Sequence, residues 1–115
     1  MKFSEMDSLT TKIAIYVPST IDIDSPVDNS AQVKKTACFL SDLFGGCTAF
    51  QASGYWIDSN KKLITENPVV VYAYTTKDKA QEAEEKIIEY VKSLCVEMSQ
   101  DCISVEYNNK LYFIN

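Results

Sequence analysis

Pro68-Val69-Val70-Val71-Tyr72-Ala73-Tyr74, followed from Asp78 by a run in which Ala80, Ala83, Ile87, Val91, Leu94 and Met98 recur every three or four residues, decides the fold. Six consecutive β-branched, aromatic or small apolar residues leave no polar face, as in a central strand covered by other elements. Pro68 cannot donate to a sheet ladder and marks where the strand begins. The periodic run behind it predicts a helix over 78–99. Ile88 and Cys95 adjoin its apolar face, and Glu82, Glu85, Glu89 and Lys92 lie opposite.

Thr11–Pro18 is a second β-branched run, apolar on both faces over 13–17. Residues 19–30 form a polar loop with Asp22, Asp24, Pro26, Asp28 and Asn29, and Asp28, Asn29 or Ser30 is expected to cap the next helix. Val33, Ala37, Leu40 and Phe44 share one face of that helix, placed over 31–44, and Gly45-Gly46 ends it. Residues 47–57 read as a half-polar edge strand bent at Gly54, with a turn at Asp58–Lys61 and a return arm from Lys62. At the other end Cys102–Tyr107 alternates, Asn108-Asn109 suits a positive-φ turn, and Leu111–Ile114 closes a hairpin.

The resulting order is β-α-β-β-α-β with an extra strand. Two central strands, each leading through a helix to an edge strand, predict an α+β fold: a ferredoxin-like sandwich with two helices on one face of an antiparallel sheet and a C-terminal hairpin strand. Residues 1–10 read as a flexible N-terminal segment and 11–115 as a single domain. The sheet face opposite the helices would carry Tyr16, Tyr72, Tyr74 and Trp56. That is a large aromatic surface to leave wet, so a homodimer is expected.

Composition removes much chemistry. The 115 residues include 11 basic side chains, all lysine, against 16 acids, for a net charge of −5. Without His or Arg there is no imidazole base, no imidazole metal ligand and no bidentate arginine clamp on phosphate. The acidic balance argues against direct nucleic-acid binding, which needs a basic field. Cys38, Cys47, Cys95 and Cys102 have neither C-x-x-C spacing nor the density of a disulfide scaffold. Met1–Thr10 lacks the apolar stretch of a signal peptide and no run is long enough to span a bilayer. A cytoplasmic location with reduced thiols, and no membrane contact, is the expectation.

Candidate sites are few. Asp22-x-Asp24 with Asp28 suggests a cation loop, but the sixth and twelfth positions are Val27 and Val33 rather than Gly and Glu. Gly45-Gly46 follows a helix instead of preceding one, the wrong context for phosphate. Lys34 and Lys35 flank Cys38 on the first helix, with no base to complete a nucleophile. No catalytic residue, metal site or cofactor is assigned. Two surfaces remain: an acidic one of Asp22, Asp24, Asp28, Glu82, Glu85 and Glu89, and an aromatic one of Tyr16, Tyr55, Trp56, Tyr72 and Tyr74.

Phe44-Gly45-Gly46, Thr48, Gly54-x-Trp56, the turn at Asp58–Lys61, Leu63, Glu66 and the strand ending Tyr72-Ala73-Tyr74 together resemble a family of small bacterial proteins of unknown function. The resemblance implies a ferredoxin-like fold with a Gly-x-Trp hairpin between its helices, and it brings no catalytic residues. The Lys-only, Asn-rich composition is similar to that of low-GC bacteria and their phages and plasmids, where small acidic proteins include inhibitors of host defence such as anti-CRISPR proteins. The sequence reads as a non-enzymatic protein-binding module whose acidic or aromatic surface engages a protein partner, a basic nucleic-acid-binding protein being one candidate. The alternative is a small-ligand binding or sequestering protein, for a nucleotide or metabolite, with a Tyr/Trp-lined pocket at a dimer interface. An enzyme of the dimeric α/β-barrel kind is disfavoured by the lack of His and Arg, while catalysis by carboxylate, Tyr or Lys stays open.

Overall fold

The computed structural model describes residues 1–21 and 25–115. Its elements are β1 (Thr11–Val17), β2 (Thr20–Ile21), β3 (Ser25–Pro26), α1 (Ser30–Phe44), β4 (Thr48–Gln51), β5 (Gly54–Ile57), β6 (Leu63–Glu66), β7 (Val69–Thr75), α2 (Lys77–Glu97), β8 (Ile103–Tyr107) and β9 (Lys110–Ile114). Five strands form one sheet in the order β4-β7-β1-β8-β9, antiparallel throughout. The two continuous apolar runs of the sequence sit side by side at its centre, paired over seven residues from Thr11 opposite Thr75 to Val17 opposite Val69.

One face of the sheet holds the core. Ile13, Ile15 and Val17 of β1, Val71 and Ala73 of β7, and Ile103 and Val105 of β8 cluster with Leu40 of α1 and the Ala80–Met98 stripe of α2. Each fully buried aliphatic side chain contributes about 1.5–3 kcal/mol. Thr36 is as deeply buried as Leu40, because its hydroxyl is satisfied within the helix layer. Ile88, expected beside the apolar face, is 42% exposed at the flank of α2.

The helix ends follow from local chemistry. Thr76 is the N-cap of α2, its Oγ1 accepting from the Lys79 amide at 3.2 Å, so the helix begins ahead of Asp78. At α1 the Asp28 carboxylate accepts from the Ser30 amide at 3.0 Å, and Asn29 instead donates its side-chain amide to the Pro18 carbonyl at 2.9 Å. Gly45 ends α1 at φ +90°, a left-handed cap.

The single edge strand expected over 47–57 is two elements. Thr48–Gln51 joins the sheet beside β7. Gly54–Ile57 leaves it to pair with Leu63–Glu66 in a separate two-stranded ladder. Backbone bonding explains the division. The Ala52 amide donates to the Pro68 carbonyl at 2.9 Å and the Gln51 side chain donates to the Asn67 carbonyl at 2.7 Å, which closes the sheet edge before Gly54. The hairpin turn is fixed by Asp58, whose Oδ1 accepts from the amides of Asn60 and Lys62, each at 2.9 Å. Trp56 therefore belongs to this hairpin and not to the open sheet face. Residues Phe3–Glu5 form an exposed 3-10 turn. No helix among the described residues is long and apolar enough to cross a membrane.

Candidate functional site

The sheet face turned away from the helices gathers aromatic side chains because alternate residues of β1, β4 and β7 point there. Tyr72 meets Tyr74 edge-on with ring centroids 6.0 Å apart, and Phe50 meets Tyr72 in the same way at 5.9 Å. Lys12 stands among them, its Nζ 4.9 Å from the Tyr72 ring centre and 3.8 Å from the Glu106 carboxylate. Tyr16 and Tyr72 are half-buried, and Tyr74 is exposed.

At the Tyr16 end of this face lies a polar hollow of about 230 Å³, walled by Tyr16, Ser19, Glu66, Gln100, Ser104 and Phe113. Four strands and two loops supply these six walls. Tyr16 and Ser104 project from adjacent sheet strands, and Glu66 closes the foot of the β5–β6 hairpin. The Ser19 hydroxyl accepts from the Asn67 amide at 3.3 Å, tying the loop after β1 to the hairpin foot. The Gln100 side-chain amide donates to the Thr20 carbonyl at 2.9 Å from the opposite wall.

Glu66 is held in place. Gly54 lies directly opposite it across the hairpin, and Trp56, one diagonal step away, donates its indole N–H to Glu66 Oε1 at 3.1 Å. A half-buried carboxylate, a phenol, serines and a phenyl face suit a polar, cationic, partly aromatic ligand. Among the described residues no group of three or more Cys, Asp and Glu side chains is placed to hold a metal.

The residues singled out from sequence are dispersed. Asp22 and Asp24 lie outside the described residues. Asp28 is occupied as a helix cap, and the Ser30 hydroxyl and amide hold its carboxyl below the usual carboxylate range. Glu82, Glu85 and Glu89 are exposed on the outer side of α2. Tyr16, Tyr72 and Tyr74 share the open sheet face, while Tyr55 and Trp56 stand on opposite faces of the hairpin. Among the described residues of this set only Tyr16 lines the hollow, and Trp56 reaches it through Glu66. Glu66, Ser104 and Gln100 were not singled out as site residues. The available signal was the Gly54-x-Trp56 pair with a lone acid one strand later.

No protein-family model matches the chain, and no curated protein matches it. Solved structures do. A phage SAM lyase in complex with S-methyl-5′-thioadenosine superposes with a TM-score of 0.67 at 17% identity, over 96% of this chain and 95% of that one. A phage SAM lyase in the apo state gives 0.63 at 18% identity, over 96% and 94%. The likeness is one of fold: a mixed α+β architecture with a five-stranded antiparallel sheet and two helices. These neighbours are enzymes. The expectation of a non-enzymatic module, whether a protein-binding inhibitor or a sequestering protein, is therefore corrected. Missing His and Arg did not license it.

Proposed function

We propose that the chain is an enzyme acting on the sulfonium nucleoside S-adenosylmethionine, and that the hollow at Glu66 is its site. The observation that carries this reading is Glu66 itself, a carboxylate positioned by Trp56 at the wall of a polar hollow, on the fold of SAM lyases. The order β4-β7-β1-β8-β9, with α1 and α2 as the crossovers, supports taking that fold as ferredoxin-like.

The chemistry fits a chain without imidazole. In the reaction proposed, an oxygen of the substrate's own carboxylate attacks its Cγ, and the Cγ–S bond breaks with its electron pair left on sulfur. The products are S-methyl-5′-thioadenosine and homoserine lactone. The sulfonium and the carboxylate lose their charges together and no proton moves, so neither a general base nor a general acid is required. What the protein supplies is conformation and surroundings. Glu66 takes the α-ammonium of the substrate, which brings the attacking oxygen to roughly 3–3.5 Å from Cγ. Tyr16 and Phe113 offer π faces that attract the sulfonium without the strong stabilisation that a second carboxylate would give the charged ground state.

At about 230 Å³ the hollow is below the roughly 300–1,000 Å³ of most small-molecule sites. A second copy of the chain closes it in this proposal. The hairpin turns Tyr55, Ile57 and Leu63 outward on the face away from Glu66, all of them exposed, which suits a homodimer contact beside the site. The test is incubation of the purified chain with S-adenosylmethionine in H₂¹⁸O, with early products read by mass spectrometry. The expected result is S-methyl-5′-thioadenosine with unlabelled lactone. Unconsumed substrate, or ¹⁸O-labelled homoserine as the first product, would contradict the proposal.

A further inference from the structure

A second cavity, of about 330 Å³, lies on the helix side of the sheet between α2 and the last hairpin, β8–β9, and adjoins the Glu66 hollow at Phe113. Its character is opposite to that of the Glu66 hollow. The floor is Ile13, Ile87 and Val105, the flank is the exposed Ile88, and polar groups stand only at its rim. At one end Glu84, Tyr107 and Tyr112 line the cavity together, the Glu84 charge acting on the Tyr107 phenol. Burial, reinforced by the Glu84 charge, holds the Tyr107 phenol above its ordinary value, so it stays a donor. Lys92 is eight residues further along α2, about 12 Å down the helix axis.

We propose that this groove is a second ligand site, taking an elongated apolar molecule with a cationic head, the head at Glu84 between the Tyr107 and Tyr112 rings and the tail along Ile88 toward Ile114. Three features of the site converge on that ligand class. The volume falls within the range of small-molecule sites and the lining is predominantly apolar. A carboxylate beside two phenol rings attracts a cation through both charge and quadrupole. Lys92 at the far end repels a cation there, which fixes the direction of binding. S-adenosylmethionine, polar at both ends, does not suit such a lining, so this site is distinct from the one at Glu66.

Titration of the ¹⁵N-labelled chain with 4-phenylbutylammonium, 4-phenylbutanol and 4-phenylbutyrate, followed by amide NMR shifts, tests the assignment. The ammonium compound should saturate with at least fivefold tighter affinity than the other two and shift amides in 84–92 and 103–114. Glu84→Gln should erase that preference while leaving the other amide positions unchanged. Ile88→Trp, which fills the groove from an exposed position, should weaken all three probes. Equal affinities, tighter binding of the carboxylate, or shifts confined to other surfaces would overturn the proposal. Conversion of S-adenosylmethionine, followed on the same Glu84→Gln sample, should be unchanged, so the two sites fail or stand separately.

Discussion

Thr36 and Tyr90 meet where the two helices cross, hydroxyl to hydroxyl at 2.7 Å, with Phe39 stacked on the Tyr90 ring at 4.1 Å. Thr36 gives its hydrogen to the Gln32 carbonyl at 2.8 Å, which leaves Tyr90 as the donor between the pair. Tyr90→Phe should therefore cost about 0.5–1.5 kcal/mol in urea denaturation, since Thr36 keeps a partner. Thr36→Val should cost more, because it strips two bonds at once from a fully buried position and leaves the half-buried phenol without its acceptor. Burial holds the Tyr90 phenol above its ordinary value. The folded state thus keeps that proton more tightly than the unfolded chain, and stability falls as pH rises past about 10. Tyr90→Phe should flatten part of that fall. None of this was legible in advance: a threonine and a tyrosine on separate helices become partners only through the packing.

At the scale of elements, the strands and helices that carry their own pattern were legible. Val69–Tyr74 and Ile13–Val17 form the centre of the sheet, and the Ala80–Met98 stripe is buried as its spacing implied. The hairpin was not, because Gly54, Trp56 and Glu66 acquire meaning only through a register that places Gly54 against Glu66. An acid in a short polar arm reads as solvated until its cross-strand neighbour is known. Gly45 and Gly46 give an element-level test. Gly45 is at φ +90°, while a Cβ at either position would meet nothing within 4 Å. Gly45→Ala should lower thermal stability by about 1–2 kcal/mol through backbone strain alone, and Gly46→Ala should be close to neutral. At the site, Trp56→Phe keeps an apolar ring but removes the indole donor to Glu66. It should reduce kcat/KM for S-adenosylmethionine by about tenfold, the effect of one hydrogen bond to a charged group at about 1.5 kcal/mol.

For the whole molecule, the radius of gyration of 15.3 Å exceeds the ~13 Å of a compact chain of this length, and the extents are 52 × 28 × 22 Å. The β5–β6 hairpin packs chiefly on itself, and a lone two-stranded ladder is marginal in water. Self-association through Tyr55, Ile57 and Leu63 would cover it. Light scattering after size exclusion should give a dimeric mass for the native chain, and Ile57→Lys should shift it toward monomer. The absence of His and Arg has its place at this scale as well. It excluded an imidazole proton-transfer centre but not a reaction that consumes two charges of its own substrate.

The most direct measurement of that central claim is turnover of S-adenosylmethionine by the native chain, Glu66→Gln and Glu84→Gln side by side, with S-methyl-5′-thioadenosine quantified chromatographically. The account predicts product from the native chain and from Glu84→Gln at similar rates, and a loss of at least about tenfold to a hundredfold in kcat/KM for Glu66→Gln, as expected for a charged contact of about 1.5–3 kcal/mol. Product formation that ignores Glu66, or none from the native chain, would contradict it.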